Sequence, residues 1–302
     1  MINIIITSFN EPKATLRAVN TILNQRINQD FKVRIVDPFP EVKEFLDKNI
    51  KDKRVEFFLD PGEGKNYALN ILFQELYSEN KEDILIFTDG DVFVSENAIS
   101  EIMEKFKDNK IGAVTGRPVS VDSRKTMFGY WSKVLYRAIH KVRLQLDNQK
   151  KFFQCSGYLF AVRNGLINEI PLDVPEDAII PYFIWRKNYK IAYADKAEVY
   201  IKYPSNWKDW VNQRVRTIKA HENISKLYSD MPRTKSFFNE IRAGALYAIR
   251  QPRNIKEFIW TLNLYAGRFY IYYKSYMDMK KKRIFNPAWR EEEVKSTKML
   301  DK

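Results

Sequence analysis

Cysteine and histidine are nearly missing from these 302 residues, which hold one Cys, Cys155, and two His, His140 and His221. A single thiol excludes an internal disulfide framework, and with so few soft ligands a structural zinc cluster is excluded too. Long apolar runs are also absent: no stretch reaches the ~18 uninterrupted apolar residues that a membrane-spanning helix needs. The opening MINIIITSFNEP has no basic leader, extended apolar block or small-residue cleavage site, so it reads as a strand rather than a secretion signal. Together these absences point to a reducing cytosol. There is no internal repeat and no low-complexity linker to mark a clean domain boundary. What remains, 45% hydrophobic and 29% charged, is a globular composition in a chain long enough to bury a large core.

The formal charge of +13 is unevenly placed. Residues 1–200 hold 29 Lys and Arg against 28 Asp and Glu, whereas residues 201–302 hold 22 against 10. A basic, aromatic-rich last third suits an anionic partner, whether membrane surface, lipid phosphate or nucleic acid; it equally suits a solvated helical face.

Apolar periodicity predicts strands at residues 2–7, 31–36, 55–59 and 84–89, with helices at 12–25, 41–49 and 66–77 between them. Alternation at this spacing predicts an α/β fold with a mostly parallel sheet and right-handed crossovers. A helix at 98–106 and a strand at 111–115 follow. Residues 128–146 read as a basic amphipathic helix whose apolar stripe, Trp131 to Leu146, serves either core packing or docking to a membrane or acceptor. Later strands are expected at 153–162 and 190–194, and helices at 207–227 and 237–279.

The chemistry centres on DILIFTDGD, residues 83–91, where a buried strand ends in two carboxylates one residue apart. Open α/β sheets bind ligands at the carboxyl ends of their strands. Asp89 and Asp91, at alternate positions of an extended segment, present oxygens to one side, as Mg2+ or Mn2+ requires. Asp-Gly-Asp is also ordinary turn chemistry, so the triplet gains meaning only from its companions. These are TSFNEP at 7–12, Asp37 at the end of the second strand, GEGKNYALN at 62–70, VTGRP at 114–118, CSGYLFAVR at 155–163, PEDAII at 175–180 and QRVRT at 213–217.

In that order, the pieces resemble family 2 glycosyltransferases of the GT-A fold, a group that includes cellulose and hyaluronan synthases and many non-processive sugar transferases. The resemblance covers residues 2–217 and implies a Rossmann-like GT-A domain, set here at 1–227, with a helical, basic extension at 228–302. It implies that Thr7, Phe9, Glu11 and Asp37 line a base and ribose pocket and that Lys65 contacts the nucleotide. Asp89 would lie near ribose and metal, and Asp91 would bind the cation, which offsets charge on the departing nucleotide. Asp177 would be the catalytic base, with Glu176 beside it, while Ser156 and Gly157 let backbone approach the donor sugar. Acids also favour the start of a helix, so Glu176 and Asp177 fit that role as well. Gln213 and Arg216 match a Gln-x-x-Arg-Trp motif, with Arg216 suited to a diphosphate. Thr217 stands where the processive enzymes carry tryptophan, and their membrane channel is missing too, which favours transfer of one sugar or a few.

The expected function is thus an inverting, divalent-metal-dependent transfer from a nucleotide-sugar, UDP-sugars favoured, to a hydroxyl on a glycan or lipid-linked acceptor. The expected place is the cytoplasm or the inner face of a membrane. Segment 258–273, FIWTLNLYAGRFYIYY, suits either a membrane interface or a helix buried on the core, and the run Lys280 to Arg283 suits anionic headgroups. A nucleic-acid-binding protein and a non-catalytic scaffold are the alternatives. No nucleic-acid motif is present, so none is expected as partner, and intact Asp89, Asp91 and Asp177 weigh against the scaffold.

Overall fold

The structure, a computed structural model, describes residues 1–232, 246–280 and 297. The first part of the helix expected at 237–279 and most of the basic run after Lys280 lie outside those residues. Eight strands form one sheet: β1 Ile2–Thr7, β2 Phe31–Asp37, β3 Val55–Leu59, β4 Ile84–Asp89, β5 Phe93–Val94, β6 Ile111–Ser120, β7 Leu159–Arg163 and β8 Lys190–Ile201. The helices are α1 Pro12–Leu23, α2 Pro40–Asn49, α3 Lys65–Glu75, α4 Ala98–Lys105, α5 Met127–Asn148, α6 Glu176–Arg186 and α7 Trp207–Leu227, followed by α8 Leu246–Ile249 and α9 Ile255–Lys280.

Across the sheet the order is β3-β2-β1-β4-β7-β6-β8-β5. The first four strands in this order are mutually parallel, as the alternation of strand and helix predicts. β7 then runs antiparallel to both β4 and β6, while β6 and β8 are parallel to each other. The result is an α/β fold with a mostly parallel central sheet flanked by helices.

β1 lies between β2 and β4 with both faces covered, so its run of isoleucines is continuous rather than alternating. Ile4 and Ile6 point into one core with Val19 and Ile22 of α1 and Ile99 of α4. Ile5 points into the other, with Leu69, Leu72 and Phe73 of α3 and Ile179 of α6, where Phe87 stacks on Phe160 at 4.7 Å between ring centres. Alternation of side chains along an extended strand thus feeds two cores from one sequence.

A third cluster joins Tyr130, Trp131 and Val134 of α5 to Trp210 and Val215 of α7 and Ile271 of α9. Trp131 and Trp210 meet at 4.9 Å between ring centres. The start of the α5 stripe is therefore packed inside the protein. Among the described residues no helix is long and apolar enough to cross a membrane.

Three expected strands differ in extent from those observed. β6 and β8 run to Ser120 and Ile201, well past the predicted ends, with a register irregularity between Thr115 and Arg117. The strand expected at 153–162 begins only at Leu159, although residues 152–156 are buried. Its missing first half is a loop whose amides are engaged elsewhere.

Candidate active site

The carboxyl ends of β1, β2 and β4 stand side by side, with Thr7 level with Val36 on one flank and Asp89 on the other. That register lets Thr7 Oγ1 donate to Asp89 Oδ1 at 3.1 Å. Beyond β1 the chain bends over the end of β2. Ser8 Oγ and the Asn10 amide donate to Asp37 Oδ2 at 2.5 and 3.0 Å, and the Phe39 amide donates to Oδ1 at 2.9 Å. Burial raises the Asp37 pKa above its ordinary value, while these three donors oppose the shift. Asn10 holds a left-handed φ of 53°, a conformation that asparagine tolerates better than most residues. Phe9 packs edge-on against Phe39 at 5.1 Å between ring centres and supplies an aromatic wall. Glu11, half-buried, begins α1, its carbonyl accepting from the Thr15 amide.

Between the two aspartates of the triplet only glycine fits. A Cβ on Gly90 would lie 2.6 Å from Ser8 Cβ and 2.8 Å from Thr15 Oγ1, so the backbone is seated directly on the β1–α1 corner. Asp89 and Asp91 are partly buried on either side of it. Among the described residues no three His, Cys, Asp or Glu side chains form a ready-made metal cage. Two carboxylates on a rigid turn nevertheless fit Mg2+ or Mn2+, which take hard oxygen ligands and can complete their shell from water and phosphate.

Lys65, the first residue of α3, joins this half of the molecule to the other. Gly64 before it adopts φ 103°, a backbone conformation reserved for glycine. Lys65 Nζ lies 3.0 Å from Asp89 Oδ1 and 2.5 Å from Glu176 Oε1. Burial alone would lower the lysine pKa, but the two carboxylates hold it above its ordinary value. One ammonium therefore ties the end of β4 to the start of α6.

Asp177 follows Glu176 in the first turn of α6 and is held by the loop that replaces the expected strand. Three consecutive amides of that loop bond to distant residues: Cys155 N donates to the Asp177 carbonyl at 3.1 Å, Ser156 N to Thr115 Oγ1 at 2.9 Å, and Gly157 N to Asp177 Oδ2 at 3.0 Å. The carbonyl is available to Cys155 for a reason visible in the sequence. Pro181 sits inside α6, four residues after Asp177, and has no N–H with which to close the helical bond. The Gly157 Cα faces the Asp177 side chain: a Cβ there would have Asp177 Oδ2 as its nearest neighbour, in ordinary van der Waals contact at 3.5 Å. Arg143 of α5 is in electrostatic contact with Asp177, and burial lowers its pKa. Burial also pushes the Cys155 thiol up, which keeps it protonated.

The structure thus links Thr7, Asp89, Lys65 and Glu176 by direct polar contacts and Gly157 to Asp177, while Asp37 is held by Ser8, Asn10 and Phe39 and Ser156 by Thr115. Gln213 and Arg216 lie on α7. Gln213 is half-buried, its carbonyl accepting from Thr217 Oγ1 at 2.9 Å, and Arg216 is on the exposed side of the helix. The arginine of QRVRT that turns inward is Arg214, whose guanidinium lies 5.2 Å from the Tyr203 ring centre and in electrostatic contact with Tyr136 and Tyr158. Thr115, Arg143, Pro181 and Arg214 had no assigned role in the sequence. Only Pro181 carried a signal of its own, as a proline inside a helical pattern. A cavity of about 400 Å³ lined by Lys151, Phe152, Trp185 and Arg186 lies at the far end of α6 and contains none of these groups.

The family model described as glycosyltransferase like family 2 matches residues 2–220. No curated protein matches the chain. Among solved structures, the crystal structure of GalNAc-T7 with UDP, GalNAc and Mn2+ is similar at a TM-score of 0.51 and 16% identity, over 84% of this chain and 59% of that one. The crystal structure of S. aureus TarS is similar at a TM-score of 0.47 and 13% identity, over 85% of this chain and 46% of that one. The chain spans about three-fifths of the first and under half of the second. The likeness to the first shows a shared fold, that of the GT-A enzymes.

Proposed function

Because the chain belongs to the glycosyltransferase-like family 2, we propose that it transfers a sugar, with inversion, from a nucleotide-sugar donor to an acceptor hydroxyl. The observation that carries this reading is the Lys65 bridge. It ties Asp89, expected at the donor and metal, to Glu176, the residue directly before the expected base Asp177.

In this reading Asp37, fixed by Ser8 and two backbone amides, accepts hydrogen bonds from the ribose, and Phe9 with Phe39 flanks the base. Lys65 supplies positive charge to the nucleotide while remaining anchored by Asp89 and Glu176. Asp89 and Asp91 would hold Mg2+ or Mn2+, whose chemistry when bound is Lewis-acid stabilisation of the diphosphate leaving group. Asp177 takes the proton of the acceptor hydroxyl as its oxygen bonds to the anomeric carbon and the bond to the diphosphate breaks. The Gly157 amide holds the Asp177 carboxylate, and the Cys155 amide holds its backbone. Ser156 and Gly157 leave room for the donor sugar, and Gln213 and Arg216 support the diphosphate from α7.

We assign the transferase to residues 1–227 and a basic helical extension to 228–302. UDP-sugars are the favoured donors, since the solved relative with the shared fold was crystallised with UDP and Mn2+. The acceptor is a glycan or a lipid-linked glycan at the cytoplasmic face of a membrane, with transfer of one sugar or a few. The test is thermal stabilisation of the purified protein by a panel of nucleotide-sugars with and without Mn2+, repeated on Asp91→Ala. A metal-dependent shift with one donor, lost in the variant, supports the reading; no shift with any donor overturns it.

A further inference from the structure

α9 is built inside out. At 26 residues it is about 39 Å long, and its inward face carries polar groups. Glu257 accepts two bonds from Arg124 at 2.7 and 2.8 Å, and Thr261 shares a hydrogen bond with the Tyr130 hydroxyl at 2.6 Å. Gly267 lets Trp210 and Trp207 pack against the helix, and Asp278 pairs with Lys219 at 2.9 Å. The outward face is apolar. Ile255 is 80% exposed, Phe269 68% and Tyr276 60%, and Phe258, Ile259, Leu262, Tyr270 and Tyr273 are exposed with them. At about 100° per residue these eight fall within an arc of about 120°, and Ala266 is the only other exposed residue inside it before Lys280.

These residues are eight of the eighteen exposed large hydrophobics among the described residues, gathered on one helix rather than scattered. At ~150–250 Å² per aromatic side chain, they expose on the order of 1,000 Å², above the ~300–600 Å² of the largest patch on a typical monomer. The rim of the face identifies the occupant. Its exposed charges are Arg250, Arg253, Lys256 and Lys280, all basic. The two acids of this region, Glu257 and Asp278, are turned inward and paired with Arg124 and Lys219. A second copy packed on the face would set a basic rim against a basic rim, whereas anionic headgroups complement it. Tyr270, Tyr273 and Tyr276 also combine an apolar ring with a polar tip, as the headgroup boundary favours.

We infer that the outward face of α9 lies in the interface of an anionic bilayer. This rests on the transferase reading only for its purpose, which is to hold the site where a lipid-linked acceptor is found. The inner side of the helix faces the acceptor half of the site: Arg268 is in electrostatic contact with Arg214, which neighbours Tyr158, the residue after Gly157.

The test is co-sedimentation of the full chain, without donor or acceptor, with phosphatidylcholine vesicles containing or lacking phosphatidylglycerol. The variant Ile259→Gln/Leu262→Gln/Phe269→Gln alters only exposed positions, and its melting temperature reports on folding. Binding to the anionic vesicles alone, reduced about tenfold or more in the folded variant and also reduced in Lys256→Glu, is the expected result. Absence of vesicle binding overturns the inference. So does a dimer in solution that the triple variant dissociates while vesicle binding is unchanged, which would assign the face to a second copy. No vesicle binding by the parent chain beside an intact donor-induced thermal shift would reject the membrane face and leave the transferase reading standing.

Discussion

The two halves of the site are constructed differently. On the donor side, Thr7, Asp37 and Asp89 are terminal residues of neighbouring parallel strands, and ladder register sets Thr7 level with Asp89 and Asp37 one residue beyond them. On the acceptor side, Asp177 stands at the start of a helix and is held by a buried loop with no ladder, through amides that bond to Thr115 and to Asp177 itself. The first half is organised by repetition and the second by individual hydrogen bonds. Strand-end geometry therefore tolerates local change, whereas the acceptor side depends on a few groups that have no substitutes. Lys65, with one carboxylate from each half, is the joint between them.

The largest expected effect separates the halves by function. Asp177→Asn is expected to retain donor binding by calorimetry and to lose turnover by at least ~10²–10⁴-fold, the range of a positioned general base. Asp91→Ala is expected to lose both metal-supported donor binding and turnover. Unimpaired turnover in both variants would remove the site assignment.

Pro181→Ala probes the acceptor loop without touching a charged group. A proline in a helix interior costs about 3 kcal/mol relative to alanine, so this variant is expected to melt higher. Its new N–H competes with Cys155 for the Asp177 carbonyl, so kcat should fall about tenfold with donor affinity unchanged. A stabilised variant with full kcat would show that the loop is held by its other bonds alone.

Lys65→Met is expected to weaken both sides together. It leaves Asp89 and Glu176 facing each other without their shared cation; because all three side chains retain some exposure, the stability loss is set at about 1–2 kcal/mol. Urea unfolding measures this loss, and donor titration should show weakened binding as well. A variant as stable as the parent would deny the bridge its joining role.

The smallest effect is a pH dependence confined to the donor side. The Asp37 pKa is raised in the folded protein from an ordinary 3.8, chiefly by burial. Between these values the folded chain holds a proton that the unfolded chain has released, so stability falls as pH rises through the window. On acidification through the same window, Asp37 gains stability for the fold but ceases to be a charged acceptor. Donor affinity should therefore decline at a higher pH than an ordinary carboxylate would cause. Asp37→Asn should flatten that decline, and an unchanged pH profile in the variant would assign the titration to another group.

The donor half was legible in the sequence because its determinants are local. Apolar segments ending in Thr7, Asp37 and Asp89 already specify parallel strands with polar tips at one edge, whereas the lack of room for a side chain at Gly90 is seen only in the structure. The acceptor half was legible only as motifs. The apolar stretch before Gly157 reads as strand because its side chains are buried, but burial of side chains does not say where backbone amides bond. Arg214 and Arg216 differ by two helical positions in one motif, and only the packing of α7 decides which of them turns inward.

What the sequence determined by itself is the class of fold and the identity of its carboxylates, since hydrophobic period and strand-end chemistry are properties of neighbours along the chain. Tertiary structure alone decided that Lys65 joins Asp89 to Glu176, that the Asp177 carbonyl released by Pro181 anchors a loop, and that α9 turns its acids inward and an aromatic face outward. Each of these depends on a partner 20 to more than 100 residues away, and separations of that kind leave no periodicity in the sequence.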